Sequence, residues 1–296
     1  MEKSKVYFTK EITSDSLLKI YHTLGQELKG NVAVKISTGE PGGNNFLDPK
    51  LIAPLVGEVN GTIVENCTAY RGKRFEVADH WEAIKAHGFM DVAPCDILDE
   101  DGEMELKIKG GKHLKGVNYV GNHLEKYNSM LVLSHFKGHQ MAGFGGALKN
   151  LSIGVASRNG KAWIHSWGNS TNPDSCWEFI ENQDAFLESM AEACESVIDY
   201  FTPKNLVYIN VANKLSIDCD CDSNPHKPEM RDIGLLASLD PVALDHACVS
   251  KVLTSTDDGK ESLINRMRDR HGIHLIEYAT ALGIGTTHYD LINLDK

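Results

Sequence analysis

The sequence predicts an α/β protein with a mostly parallel sheet, flanking helices and a small antiparallel elaboration. In roughly the first ninety residues, β-like runs alternate with amphipathic helical patterns through short connections, which is typical of parallel βαβ units. Residues 130–134 (MLVLS) form a continuous apolar run, as expected for a central strand covered on both faces. A hydrophobic content of 42% with 24% charged residues agrees with a globular protein of this class.

The elements of the N-terminal part follow from the spacing of their apolar residues. Ser14 or Asp15 can cap the first helix, and Asp48 followed by Pro49 is a typical start for the second. The predicted elements, in chain order, are strand 6–9, helix 17–28, strand 31–38, helix 49–55, strand 61–68 and helix 75–87.

After residue 90 the pattern changes. Short strands at 91–98, 104–109 and 117–120, separated by Gly-containing turns, predict the antiparallel elaboration. Residues 157–175 are rich in Gly, Asn and Ser and predict a long loop. The remaining predicted elements are a helix or turn at 147–153, helix 177–201 with Cys194 on its buried face, strand 206–217, helix 242–253 capped by Asp240, helix 262–276 and strand 289–294.

The chain as a whole reads as one α/β domain, 1–296, because no repeat or linker forces a boundary. A division into an N-terminal lobe (1–121) and a lobe carrying the candidate site (122–296) is the alternative. The formal charge of −11 and the lack of any Lys/Arg cluster argue against a nucleic-acid partner.

The cellular setting is predicted from segments that are missing from the sequence. Without an eighteen-residue apolar run or an apolar signal region, we expect no membrane association and a cytoplasmic location. Seven dispersed cysteines, an odd number, predict reduced thiols rather than a disulfide framework.

A Gly/His-rich segment at 134–150 (SHFKGHQMAGFGGALKN) is the first candidate site. It directly follows the central apolar strand, and ligands of open α/β sheets collect at the carboxyl ends of strands. Glycines that lead into a helix start leave backbone amides free to hold an anion, and lysines add positive charge. The alternative is a tight turn in which glycine supplies positive φ and histidine caps the backbone. The predicted catalytic residues are His135, Lys137 and His139, and the predicted ligand-binding residues are Gly143, Gly145, Gly146, Lys149 and Asn150.

A Cys-Asp-rich segment at 218–226 (DCDCDSNPH) is the second candidate site. Cys219, Cys221 and His226 offer sulfur and nitrogen ligands for zinc or iron, with Asp220 as a further ligand. The carboxylates together with Asn224 would instead suit Mg²⁺ or Ca²⁺. A solvated acidic turn with two incidental cysteines is the structural alternative.

Three stretches of the chain resemble a known family, the domain of unknown function three-sixty-two, many of whose members are labelled uncharacterised iron–sulfur centre proteins. The resemblance is strongest at 134–161, at 218–222 (DCDCD) and at 232–247 (DIGLLASLDPVALDHA). It implies that these stretches meet in one pocket. Longer relatives carry a ferredoxin-like insertion with C-x-x-C-x-x-C runs after the segment matching 160–166, and this chain has only Cys176 there. A ferredoxin-type cluster, which needs four thiolates, is therefore not expected.

Together these observations favour a metal-dependent enzyme that acts on a small anionic molecule where the two loops meet. In this hypothesis Cys219 and Cys221 hold the metal, with His135 or His139 as a further ligand. A divalent metal, zinc or iron, is the expected cofactor, and a homo-oligomer or a redox partner is the expected assembly. The alternative is a non-catalytic metal- or cofactor-binding protein or a redox-partner subunit, so the enzymatic assignment stays open. A redox-active dithiol at Cys219 and Cys221 ranks last, because C-x-C closes a strained ring.

Overall fold

One mixed sheet of eight strands runs through the molecule in the order β12-β1-β11-β10-β7-β2-β3-β4, and only β11 runs against the others. This computed structural model describes residues 3–295, so the chain ends of the 1–296 prediction lie outside it. The strands of the sheet are β1 (Ser4–Thr9), β2 (Val32–Lys35), β3 (Gly61–Glu65), β4 (Cys95–Ile97), β7 (Ser129–His135), β10 (Leu206–Ala212), β11 (Gly234–Ser238) and β12 (Tyr289–Asn293).

Helices cover both faces of this sheet, and β7 shows why its sequence is apolar throughout. Leu131 and Leu133 pack into the cluster with the first three helices, while Met130 and Val132 pack into the cluster with the later helices. The helices are α1 (Ser14–Thr23), α2 (Pro49–Glu58), α3 (Val77–Ala86), α4 (Ala147–Leu151), α5 (Arg158–His165), α6 (Gln183–Phe201), α7 (Pro241–Leu253), α8 (Lys260–Asp269) and α9 (Gly272–Ala281).

Two antiparallel hairpins stand outside the main sheet. One pairs β5 (Glu103–Lys107) with β6 (Val117–Gly121), which confirms the predicted elaboration. The other pairs β8 (Lys137–His139) with β9 (Gly143–Gly145), directly after β7. The segment predicted as a Gly-rich loop is thus partly a hairpin. Glycine suits it, since a Cβ on Gly138 would collide with the backbone of Ile217.

The sheet order reverses direction between β2 and β7. The chain runs from β2 to β3 and β4 on one side, and from β7 to β10 on the other. Such a reversal opens a crevice at the carboxyl ends of the two central strands, because the connections leave toward opposite sides. β2 and β7 come from the two lobes of the alternative division, which stays a prediction.

The α/β fold class is confirmed, and four local predictions need correction. The strand at 95–97 joins the main sheet in parallel with β3 instead of the antiparallel elaboration. Residues 158–165, predicted as loop, form α5, whose Ser157 cap accepts from the Gly160 amide. The tail helix breaks into α8 and α9 at His271, which has a φ of 51°. Strand β11 was not predicted.

Several single-residue predictions are confirmed by the same elements. Asp48 caps α2, with Pro49 as its first residue, and Asp240 caps α7. Cys194 is fully buried on α6. Within residues 3–295, no helix combines the length and the apolar character needed to cross a membrane.

Candidate functional site

A deep cavity of about 850 Å³ lies at the carboxyl ends of β2, β3 and β7. Its walls come from the segments that follow these strands, from the β8–β9 hairpin, and from α4 and α5. Residues 221–223 of the Cys-Asp segment close one side. The cavity therefore occupies the crevice that the sheet order creates.

The two predicted loops meet at the carboxylate of Asp220. His135 Nδ1 donates to Asp220 Oδ1 at 2.9 Å, and Lys137 Nζ donates to Oδ2 at 2.5 Å. Burial alone would raise the pKa of Asp220, but the adjoining His135 and Lys137 hold it below its usual range. His135 Nε2 also donates, to the Asn213 carbonyl oxygen at 2.7 Å. Both ring nitrogens of His135 are therefore committed to acceptors.

A closed ion-pair network forms the wall after β2 and β3. Lys35 Nζ lies 2.9 Å from Glu65, and Arg74 contacts Glu65 at 3.2 Å and Glu40 at 3.0 Å. Burial raises the pKa of Glu65, yet Lys35 and Arg74 outweigh it and leave that pKa below its usual range. Sequence reasoning missed this network. Its only signal was that Lys35 and Glu65 lie within two successive strands that were predicted to be parallel.

Two further lysines on the opposite wall have no carboxylate partner within residues 3–295. Burial and the nearby Lys137 lower the pKa of Lys149 to about 7. Burial also lowers the pKa of Lys161 to about 8, and its Nζ donates only to the Ala156 carbonyl oxygen. Lys149 was predicted as a ligand-binding residue, whereas Lys161 fell in a segment predicted as loop. Asp220 acts on Lys149 from a distance, as Asp99 and Glu65 act on Lys161, but neither lysine forms a direct ion pair within residues 3–295. Lys161 is buried and Lys149 is half-buried, so a positive charge on either is costly.

Two cavity histidines are fixed in opposite tautomers by their neighbours. His139 Nδ1 accepts the backbone N–H groups of Met141 at 3.1 Å and Ala142 at 2.9 Å, so the neutral ring carries its proton on Nε2. Burial holds the pKa of His139 well below its usual range. His165 Nδ1 donates to the Lys161 carbonyl oxygen at 2.7 Å, which leaves Nε2 without a proton. Burial lowers the pKa of His165 to about 4.

The sulfur atoms of Cys219 and Cys221 lie beside His139. The two cysteines are joined as a disulfide, so the reduced-thiol prediction is wrong for this pair and holds for the other five cysteines. One ligand atom from each of His139, Cys219 and Cys221 lies within 4.8 Å of the others, which makes them a candidate metal group.

Two predicted metal ligands lie outside this group. Asp220 turns away toward His135 and Lys137. The side chain of His226 is 68% exposed and its Nδ1 bonds to Asp218. Of the ligands that the sequence offered, Cys219, Cys221 and His139 lie together, whereas Asp220 and His226 lie apart from them.

The glycines predicted to hold an anion lie in strand β9 and at the start of α4. α4 begins after Gly146, but its first two amides, of Ala147 and Leu148, donate to Asp245 at 2.8 and 2.9 Å. A Cβ on Gly146 would lie 2.4 Å from Asp245 Oδ1, so glycine permits this approach. Gly143 and Gly145 belong to β9. Asn150 Nδ2 donates to the Lys35 carbonyl oxygen at 2.9 Å and ties α4 to β2.

The family model described as Domain of unknown function (DUF362) matches residues 32–250. The chain belongs to this family. The DUF362 match spans every residue of the site named above, from Lys35 at the cavity to Asp245 behind it, and excludes β1, α1, α8, α9 and β12. No curated protein matches the sequence.

Two solved structures resemble this DUF362 chain at a distance. The lactate racemase apoprotein from Thermoanaerobacterium thermosaccharolyticum is 13% identical, with 70% of this chain and 50% of that chain covered and a TM-score of 0.40. A protein from Thermotoga maritima is 12% identical, with 92% and 59% covered and a TM-score of 0.43. This chain spans about half the length of the lactate racemase apoprotein. Scores at this level support no statement on function.

Proposed function

We propose that the protein is an enzyme that binds a small anionic molecule in the cavity and exchanges a proton with it through Lys149. The observation that carries the proposal is the contrast in charge pairing. Lys35, Arg74 and Lys137 each have a buried carboxylate partner, whereas Lys149 and Lys161 have none within residues 3–295. A bound anion would supply the missing charge.

The energetic argument for an anion follows from burial. Removing an ammonium group from water is costly, and for Lys149 and Lys161 this cost exceeds the attraction of the nearest carboxylates, so both pKa values are low. An anion placed between them raises both pKa values and recovers part of that cost. Binding and protonation are then coupled, so the anion would arrive together with protons.

Lys149 is suited to general acid–base chemistry because its pKa of about 7 lies near neutral pH. Lys161, with a pKa of about 8, keeps more of its charge and would hold the anion. Of the predicted catalytic residues, His139 presents its Nε2–H beside the cavity as a donor. We assign His135 and Lys137 a positioning role, since both fix Asp220.

A metal-dependent reaction is the second candidate, and the grouping of His139, Cys219 and Cys221 favours it. Two features oppose it. The thiols are joined, and His139 would have to bind through Nε2 with the proton on Nδ1, where two backbone N–H groups point. Metal-binding histidines normally donate from the other nitrogen to an acceptor. The residues therefore do not fit a zinc or iron ion as arranged, and we derive no step through one.

Anion binding is tested by titrating the protein with sulfate, followed by calorimetry, because the charge of sulfate is constant near neutral pH. Wild type is compared with Lys149→Met and Lys161→Met, and with Lys107→Met, an exposed lysine on β5, as the control. We expect one site in wild type and in the control, and a loss of about tenfold or more in affinity in each cavity variant. Equal affinity in all four proteins contradicts the proposal.

Proton exchange is tested separately from binding. Small carboxylates and phosphorylated acids are incubated with the protein in D₂O, and the loss of C–H signals is followed by NMR. Exchange in wild type that is lost in Lys149→Met supports an enzyme. Binding without any exchange supports the non-catalytic binding protein instead.

A further inference from the structure

We propose that Cys219 and Cys221 form a redox-active dithiol that exchanges its disulfide with a small thiol entering through the cavity. The proposal goes beyond the anion chemistry and does not need it. It rests on the position of the two sulfurs, on the unequal access to them and on the groups that surround them.

Access to the pair is one-sided. Cys219 is 2% exposed, whereas Cys221 is partly exposed and lines the cavity. An incoming thiolate therefore meets the Cys221 sulfur first. The remaining five cysteines are not in the cavity lining, so a thiol in the cavity meets this pair alone.

The leaving sulfur has a hydrogen-bond donor already in place. The Cys221 backbone N–H donates to Cys219 Sγ at 3.2 Å. A thiolate that forms on Cys219 is stabilised by this donor, and exchange is faster when the leaving thiolate is stabilised. When the disulfide opens toward Cys219, the new thiolate therefore forms next to a donor that is already present.

His139 provides a donor for the other sulfur. Its Nε2 lies 3.9 Å from Cys221 Sγ, and the two backbone N–H groups on Nδ1 keep the proton on Nε2. That tautomer suits a hydrogen bond to a Cys221 thiolate and opposes metal ligation. The same geometry that weakens the metal assignment therefore favours thiol chemistry.

The loop that carries the pair is anchored on both sides. Asp218 bonds to the His226 backbone N–H at 3.0 Å, and Asp220 is held by His135 and Lys137. The Glu40 N–H donates to the Asp220 carbonyl oxygen at 2.7 Å. These anchors keep the two sulfurs next to each other in the reduced state, so the pair can close again.

The reaction balances with two equivalents of a small thiol, RSH. A thiolate RS⁻ attacks Cys221 Sγ, a sulfur–sulfur bond forms between them, and the Cys219–Cys221 bond breaks with its electron pair on Cys219. A second RS⁻ attacks the sulfur of the bound R group, releases RSSR and leaves a thiolate on Cys221. The two protons of the thiols end on the cysteine sulfurs. The reverse direction oxidises two RSH to RSSR.

The test uses the folded chain equilibrated in mixtures of reduced and oxidised glutathione, with free thiols alkylated and located by mass spectrometry. We expect alkylation at Cys219 and Cys221 to appear together as the mixture becomes reducing, with the other five cysteines protected. In Cys219→Ser, oxidised glutathione should attach to Cys221, whereas in Cys221→Ser it should leave Cys219 largely unmodified. The wild-type titration stays informative even if a variant fails to fold.

The rate of reduction and the amount of bound zinc are two controls that distinguish a redox-active dithiol from a packing or metal-binding role. His139→Asn keeps an acceptor near the Nδ1 position but removes the Nε2 donor, so it should slow reduction by about tenfold, the effect of one hydrogen bond to a charged group. Reduced wild type should bind less than stoichiometric zinc. A pair that resists reduction in the folded protein, or one tightly bound zinc that protects both thiols, overturns the proposal. Loss of sulfate binding in Lys149→Met is a separate result and bears only on the anion site.

Discussion

On the wall that follows β2 and β3, each buried cation pairs with a carboxylate, whereas on the wall formed by α4 and α5 neither lysine pairs with a carboxylate from the described part of the chain, residues 3–295. Lys35 and Arg74 share Glu65, and the Thr38 N–H donates to the same carboxylate at 2.7 Å. Lys149 and Lys161 line the same cavity, and Lys161 Nζ donates to a backbone carbonyl oxygen instead of a carboxylate. Our proposal therefore selects the binding lysines by their lack of an ion-pair partner and not by their charge alone.

This difference divides the cavity into a paired wall that supports the fold, here called the frame, and an unpaired wall that we propose binds the anion. Removing a carboxylate from the paired wall leaves buried cations uncompensated, which is costly to stability. Removing a lysine from the unpaired wall takes away a charge that the fold does not use. The predictions that follow test this separation by changing one wall at a time.

The largest effect is expected from Glu65→Ala. Its carboxylate compensates Lys35 and Arg74, and its side chain is only 6% exposed, so the variant should lose about 3–5 kcal/mol of unfolding free energy. Urea unfolding measures it, with Lys149→Met as the matched control on the other wall. A loss below about 1 kcal/mol would show that the paired wall is not part of the frame.

A smaller loss is expected from Asp245→Ala, which removes an acceptor from the start of α4. Its carboxylate accepts the amides of Ala147 and Leu148 and the Asn210 side chain at 2.7 Å. Three buried donors would lose their partner, and we expect about 2–3 kcal/mol by urea unfolding. Asp290→Ala, an exposed carboxylate, is the control. Equal stability of the two variants contradicts the assignment of Asp245 to the frame.

The sequence predicted the fold class because its apolar periods are set by the sheet and its covering helices. It located α2 and α7 through Asp48 and Asp240, since caps act over a few residues. It missed α5, whose polar sequence packs only because tertiary contacts bury Trp163 and Ile164. Helices and strands could be predicted where one local signal, such as a cap, determines them, and were missed where tertiary packing determines them.

For the site, the sequence located the loops but not the pairing within them. Lys137 and Lys149 look alike in a sequence, yet one is neutralised by Asp220 across 83 positions and the other is not. Pairing over such separations depends on strand order, which no short motif encodes. The same limit explains why the sequence left His135, His139 and His226 open as partners of the cysteines, and only the fold places His139 beside them.

An intermediate effect is expected from pH on sulfate affinity. Lys149 is charged below about pH 7 and Lys161 below about pH 8, so both are cationic in acid and lose their charge as pH rises. Affinity should therefore be highest below pH 7 and fall by about tenfold by pH 9. Calorimetry at several pH values measures it, and Lys149→Met should flatten the lower part of the curve. Affinity that rises with pH contradicts the unpaired wall as the anion site.

The smallest effect is expected from Lys149→Met on stability, and its sign is the most diagnostic. The pKa of Lys149 is lower folded than unfolded, so its charge costs stability in full below about pH 7 and less as pH rises toward the unfolded value. The side chain is only half-buried, which reduces this cost. The free energy of unfolding of the variant should therefore rise by only on the order of 1 kcal/mol at pH 7, and by less at pH 9. Urea unfolding at both values measures the difference. A loss of stability in this variant would contradict the proposal, because it would mean that the charge of Lys149 stabilises the fold, as the charge of Lys35 does.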